Sequence, residues 1–332
     1  MDSLTHVVIG AAVGEVTLGK KVGNKALLWG AIAGSIPDLD VLITPFFEPV
    51  KALFVHRGFS HSLLFCLIVS SLLAWLIRSI NRDEKVSYFE WLRLSLLAIL
   101  GHLFIDIFNT YGTALLEPFN SKRFSYDTIG IVDLFFTFPL LLSVIVILFY
   151  KYINRNRRVI VWIALSYSIL YLGFTILTRI RVEKVIKSQM VHQQMEYKSY
   201  RLSPAPLTNF LWMVAVEQDD GFLSGYYSIF DNKKVIDLVY TPRKTELLGN
   251  LSSNPKIHDL IRFTKEYYVV DTVNGSLWMY DLRYGSLGFN DPKPWVFSFG
   301  ITQTQNGVEV SRSHPSRKMS LENVKEYWHR VF

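Results

Sequence analysis

Cysteine is nearly missing from this chain of 332 residues: the one cysteine, Cys66, lies inside an apolar run. A disulfide framework and a cysteine-ligated metal centre within one chain are therefore excluded, and any metal must be held by His, Asp or Glu. Charge imbalance is also small. The net charge of +7 divides into 16 basic against 12 acidic residues up to position 180 and 19 against 16 beyond it. Neither half is a polyanion-binding surface by charge, and no nucleic-acid partner is expected. The opening MDSLTHVVIGAAVG has neither a basic stretch ahead of its apolar residues nor a small-residue cleavage site, so it reads as mature protein. No internal repeat or low-complexity stretch stands out, and long apolar runs stop after about residue 182.

Before that point they are abundant. Half of the chain is hydrophobic and its mean hydropathy is positive, which soluble enzymes seldom show. Runs such as HSLLFCLIVSSLLAWLI (61–77) and VDLFFTFPLLLSVIVILFY (132–150) approach the roughly 20 residues that cross a bilayer. Six hydrophobic segments can be drawn, at about 4–18, 26–44, 60–78, 90–111, 129–150 and 158–179. The first is short, and its Gly10 and Gly14 suit close helix packing. Lys20, Lys21 and Lys25, then Arg78, Arg82 and Lys85, then Lys151, Arg155, Arg157 and Arg158 follow segments one, three and five. By the positive-inside rule these loops are cytoplasmic, which puts the loops at 45–59 and 112–128 and everything after 180 on the outer face. Arg179, Arg181, Lys184 and Lys187 oppose this by lying just outside.

After 182 the pattern changes to short alternating runs with turn signals. Asn274-Gly275 and Asn306-Gly307 read as hairpin turns. Strands are expected near 210–217, 223–230, 267–272, 277–283, 295–301 and 308–312, and helices near 183–198, 254–265 and 320–331. The expected fold is a membrane α-helical bundle of five to six segments (1–181) followed by an extramembrane, strand-rich α+β domain (182–332), large enough to bury its own core.

Four of the eight histidines fall in the first 102 residues: His6, His56, His61 and His102. Each has polar company near a segment end, in Ser3-Leu4-Thr5-His6, Pro37-Asp38-Leu39-Asp40, His56-Arg57-Gly58-Phe59-Ser60-His61-Ser62 and His102-Leu103-Phe104-Ile105-Asp106. The i, i+4 spacing of His102 and Asp106 puts both on one helix face. On the topology above, these groups and Asp133 converge on the same face. Imidazoles and carboxylates together suit zinc first, with manganese, iron or magnesium as further possibilities, and a hydrolytic site needs an open position for water. Ionisable groups at membrane depth are costly unless paired or functional. Taken singly, each motif also has a plainer reading. Asp38 and Asp40 can end a helix after Pro37, His102 and Asp106 can pair structurally, and HRGFSH can be a headgroup loop in which Ser60 caps segment three. Arg57 and Arg123 lie on the same side, where a guanidinium suits phosphate oxygens, and Asn109, Thr110 and Tyr111 are candidates to support the site. The four later histidines, His192, His258, His314 and His329, show no ligand spacing.

At these motifs the chain resembles the LexA-regulated, membrane-bound metal-dependent hydrolase family of bacteria, formerly domain of unknown function 457. Thr5-His6, Pro37-Asp38-Leu39-Asp40, His56-Arg57-Gly58 with Ser60-His61-Ser62, and Gly101-His102 with Asp106 and Gly112 carry the resemblance over residues 1 to about 135, the HRGFSHS element being the most specific. The resemblance implies a helical inner-membrane protein with a divalent metal, and marks His6, Asp38, Asp40, His56, His61, His102 and Asp106 as site residues. It supplies no substrate.

The expectation is a metal-dependent hydrolase of a lipid or lipid-linked phosphoester at the outer face of the bacterial cytoplasmic membrane. His56, His61, His102 and some of Asp38, Asp40 and Asp106 hold one or two ions, a spare carboxylate (Asp38 or Asp106) acts as base, and Arg57 holds phosphate. A membrane-tethered regulator whose tail binds a partner is the alternative, motivated by the tail's size and by aromatics that read as exposed, Trp212, Tyr226, Tyr227, Trp278 and Trp295. Metal transport is a third reading, for which donors would spread over the membrane's depth.

Overall fold

A computed structural model describes residues 1–82, 85–151, 153–286, 295–305, 307–312 and 321–332. It divides into two compact units, one of residues 1–46, 54–126 and 131–174 and one of residues 47–53, 127–130 and 175–332. In the first unit, α1 (Ser3–Val22) and α2 (Asn24–Ser35) form a tight antiparallel pair. The reason lies in four glycines at four-residue spacing. A Cβ on Gly10 would sit 2.2 Å from the Gly30 carbonyl oxygen and 3.1 Å from the Gly34 Cα, and one on Gly14 would sit 2.0 Å from the Ala26 oxygen. Only bare backbones can approach so closely.

The apolar segment expected over 26–44 breaks. Pro37 follows Ser35 and Ile36, and the chain continues as 3-10 turns over Pro37–Leu42 and Thr44–Phe46, bent by 53° from α2. Proline lacks the amide that a helix interior needs. A short α3 (Pro49–Val55), which the hydropathy pattern did not suggest, precedes a 3-10 turn at Phe59–His61. α4 (Leu63–Ile80) is capped by Ser62, whose hydroxyl accepts from the Phe65 amide at 3.0 Å. This corrects the reading in which Ser60 caps the segment. α5 (Tyr88–Asp106) opens on a Ser87/Glu90 capping box and packs on α1, α2 and α4. It ends at Asp106, short of the expected 111. α6 (Leu134–Leu148) starts on Asp133, which accepts from the Phe135 and Phe136 amides at 3.0 Å and 3.1 Å.

Among the described residues three helices are long and apolar enough to cross a membrane: α4, α5 and α7 (Arg155–His192). A fourth span results if α2 and its bent continuation count as one, and α6 has only 15 residues. Length and apolarity therefore do not confirm the expected count of five to six segments.

The second unit contains the end of α7 and two four-stranded antiparallel sheets. The first has the order β1 (Ser199–Pro204), β2 (Leu211–Glu217), β3 (Gly221–Ser228), β4 (Val239–Pro242). The second has the order β5 (Tyr268–Val273), β6 (Ser276–Ser286), β7 (Trp295–Thr304), β8 (Gly307–Arg312). β2 explains the arrangement by its alternation. Met213 and Ala215 join Val269, Tyr280 and Leu282 between the sheets, while Trp212, Val214 and Val216 face Val182, Val185 and Ile186 of α7. Burial on both faces makes β2 a near-continuous apolar run. β1 and β4 were missed because each interleaves polar residues with proline. Asn274 and Gly275 both have positive φ, at 50° and 76°, and join β5 to β6 as a two-residue turn. Asn306 lies outside the described residues.

The described residues of this unit also form α8 (Pro255–Phe263) and α9 (Leu321–Val331). Trp212, Tyr227 and Trp295 are buried, and Tyr226 and Trp278 pack against the inter-sheet core. They are core residues rather than the exposed aromatics expected from sequence.

Candidate metal centre

The tight α1/α2 pair brings the start of α1 beside the end of α2, since a Cβ on Gly34 would meet the His6 carbonyl oxygen at 2.7 Å. The break after α2 then presents Asp38 and Asp40, and α5 presents His102 and Asp106 on one face one turn apart. His6, His61, His102 and Asp106 are fully buried, with Asp38 partly so. The Nε2 atoms of His61 and His102 stand 3.1 Å apart. Asp106 Oδ2 is 3.5 Å from each of them, and Asp38 Oδ1 is 3.5 Å from the first and 3.6 Å from the second. His6 stacks on His102 with ring centroids 3.5 Å apart and has Nε2 3.2 Å from Asp106 Oδ1. Two overlapping groups could hold an ion: His61, His102 and Asp106, and His6, Asp38 and His102.

The outward nitrogens fix how the two central imidazoles present themselves. His102 Nδ1 lies 2.7 Å from the Gly34 carbonyl oxygen, which can only accept, so Nδ1 carries the proton. His61 Nδ1 lies 2.9 Å from Ser60 Oγ, whose hydroxyl donates to Asp40 Oδ2 at 2.6 Å, so here too Nδ1 donates. In the neutral rings both Nε2 lone pairs then point at each other and at a carboxylate. Such an array is repulsive until a proton or a metal ion enters it. Asp106 Oδ2 and both ring nitrogens of His6 are buried without a hydrogen bond, where buried polar atoms are normally satisfied. Asp38, Asp40 and Asp106 outnumber the two cations beside them, Arg57 and the Met1 amine. Orphaned atoms, donor types and charge all fit a divalent ion.

Around this core stands an orienting layer. Asp40 accepts from the Arg57 amide at 2.9 Å and from Ser60, and its Oδ1 is 2.8 Å from His56 Nδ1. The structure thus places Asp40 and the half-exposed His56 behind His61, outside both metal-capable groups. The Arg57 guanidinium is buried rather than presented outward. It donates to Asn109 Oδ1 at 2.8 Å and to the Met1 carbonyl at 3.2 Å, with Nε 3.3 Å from Asp106 Oδ2. Asn109 in turn donates to Asp106 Oδ1 at 3.1 Å, and the Tyr111 ring lies 5.2 Å beneath the Arg57 guanidinium. Arg123 donates to the carbonyls of Gly112, Phe54 and His56, tying down the loop that carries Arg57. Asp133 is separate: it caps α6 and accepts from the Tyr171 hydroxyl at 3.0 Å. The Met1 amine, paired with Asp106, was not anticipated, because nothing in residue spacing marks it.

Apolar helices and a buried His/Asp cluster beside a helix break define a helical membrane protein with a candidate metal centre. The chain belongs to the YdjM inner membrane protein family, the LexA-regulated metal-dependent hydrolase family, whose model matches residues 1–182. It is 34% identical over 124 residues to "Inner membrane protein YbcI" of Escherichia coli (strain K12), covering 36% of this chain and 69% of that protein. It is 27% identical over 317 residues to "Uncharacterized protein YfhP" of Bacillus subtilis (strain 168), covering 87% of this chain and 88% of that one. That second likeness is long enough to include much of the sheet-bearing region. No solved structure matches the chain.

Proposed function

We propose that the chain is a metal-dependent hydrolase acting on a lipid or lipid-linked phosphoester, with a multi-pass helical bundle and a site opening at the outer face of the cytoplasmic membrane. The observation that carries the reading is the triangle of His61 Nε2, His102 Nε2 and Asp106 Oδ2, with edges of 3.1 Å, 3.5 Å and 3.5 Å. A tetrahedral zinc with bonds of about 2.0–2.1 Å separates its ligands by roughly 3.3–3.4 Å. The triangle therefore suits one face of a zinc site whose fourth position is open, and zinc is the first choice over manganese, iron or magnesium.

A bound ion would supply Lewis acidity and acidify a water. The residues do the rest. Ser60 and the Gly34 carbonyl hold the two imidazoles with Nε2 inward. Arg57 and Asn109 hold Asp106 in place, a positioning role in place of the expected grip on phosphate. Asp38, the partly exposed carboxylate 3.5 Å from His61, is placed to accept a proton from an attacking water. The lipid substrate is supported by the surroundings of Asp38 and Asp40. Leu39, Val41, Leu42, Ile43 and Phe46 are all exposed, an apolar rim suited to acyl chains. Donors crowded at one end of the bundle favour this over a transport path, which needs them along its depth.

The test is release of phosphate or headgroup from phospholipid vesicles by detergent-purified protein. Chelator-sensitive hydrolysis that Asp38→Asn lowers by two or more orders of magnitude, about the contribution of a general base, supports the reading. Hydrolysis indifferent to chelator and to Asp38→Asn contradicts it.

A further inference from the structure

From Val159 to Thr178, α7 carries no charged residue, a stretch of the length a bilayer core requires. The helix continues unbroken to His192. The four cations that follow the apolar stretch on this helix differ in their partners. Lys187 Nζ is 2.8 Å and Arg179 Nη1 3.7 Å from Glu183, so both pair with that one carboxylate. Arg181 and Lys184 have no carboxylate within ion-pair distance among the described residues, nor does Lys234 in the loop between β3 and β4.

These three unneutralised cations line one cleft of about 550 Å³, with Leu177, Ile180 and Tyr227 among its other walls. Leu177, Ile180, Arg181, Lys184 and Ser188 recur at helical spacing, so they form one stripe of α7. The stripe is apolar at its start and basic further on. Leu177 and Ile180 are exposed, which costs nothing if hydrocarbon covers them.

We propose that this cleft binds an anionic phospholipid, its phosphate held by Arg181, Lys184 and Lys234 and the upper part of its acyl chain against Leu177 and Ile180. Charge complementarity selects the anion, and continuity with the apolar stretch of α7 selects a lipid over a free phosphate. The site uses none of the metal-centre residues. It rests only on α7 being a span, and it gives a function to the basic residues that oppose the charge-based orientation: they meet a lipid headgroup whichever face they occupy.

The full-length protein in detergent, titrated with phosphatidylglycerol and with phosphatidylcholine of the same acyl chains, tests this by native mass spectrometry. Phosphatidylglycerol should be retained, and Lys184→Glu with Lys234→Glu should weaken its retention at least tenfold, as should Arg181→Gln with Lys184→Gln. Lys20→Glu with Lys51→Glu, the same charge change elsewhere, should leave retention unaltered. Equal retention of the two lipids, retention unaffected by the cleft variants, or equal loss in the control would overturn the proposal. So would displacement of the lipid by equimolar inorganic phosphate, which would mark a free-anion site. Metal content, read on the same samples, should not change in the cleft variants, so the failure of this proposal is distinct from that of the metal centre.

Discussion

His61 and His102 face each other across 3.1 Å through nitrogens that carry no proton in their neutral rings, because each ring donates its Nδ1 proton outward, to Ser60 and to the Gly34 carbonyl. Two lone pairs so close, with Asp106 Oδ2 3.5 Å from both, need a positive charge between them, either a proton on one ring or a metal ion. The following expectations test that relationship and the frame that builds it.

The layer behind His61 should tune affinity without creating it. His56→Ala leaves Asp40 with the Arg57 amide and Ser60 as partners but removes the contact at 2.8 Å. Metal affinity should fall about 10- to 100-fold, as for other groups that orient a ligand, while saturating metal restores full occupancy. A titration with a competing chelator reads both.

Helix approach should be limiting. A Cβ at Gly30 would sit 2.2 Å from the Gly10 carbonyl oxygen, whereas one at Gly173 meets nothing within 4 Å. Gly30→Val should destabilise the protein by at least about 1–3 kcal/mol and reduce metal binding, since it parts α1, which carries His6, from α2, which leads into Asp38. Gly173→Ala should leave both unchanged or slightly raise stability. Thermal unfolding and metal content of the two variants decide.

At the other end of α1 a buried ion pair should behave as one unit. Arg157 binds both Glu15 oxygens, at 3.1 Å and 2.7 Å, and Asn24 at 2.9 Å. Arg157→Met leaves Glu15 buried and unpaired, and should cost about 3–5 kcal/mol. Adding Glu15→Gln should recover most of that loss in the same unfolding measurement.

The sheet-bearing unit should carry a pH signature. Burial, with Arg201 next, holds the Lys265 ammonium down to about 8, against partial relief from Asp127. A folded value below the unfolded one means the unfolded chain binds more protons between about pH 8 and the usual lysine value. Stability therefore rises with pH across that window, and below it the buried charge is a penalty. Lys265→Met should raise the melting temperature at pH 7 and flatten the rise above pH 8.

Much of this was legible in the sequence, for physical reasons. The i, i+4 pair on α5 and the HRGFSH loop stood out because ionisable residues are rare among apolar ones. The central strands of both sheets and the Asn274-Gly275 turn followed from alternation and left-handed backbone preference. What escaped notice depended on long-range contact. The division between ligand-like His61 and supporting His56 is set by which imidazole turns its Nε2 to His102 and Asp106, since both meet Asp40, and both histidines look alike in sequence. Arg57 read as a phosphate grip because its guanidinium chemistry is visible and its burial is not. The tail aromatics read as surface because β2 is covered on both faces, by α7 and by the second sheet, and alternation alone cannot report that.

The most direct test of the metal centre is the metal content of detergent-purified protein after zinc loading and desalting, measured by elemental analysis beside His61→Ala and His102→Ala. Stoichiometric zinc is expected in the parent chain, with its loss in both variants and circular dichroism unchanged. A parent chain that stays free of zinc, manganese and iron, or variants that keep the full metal content, would contradict it.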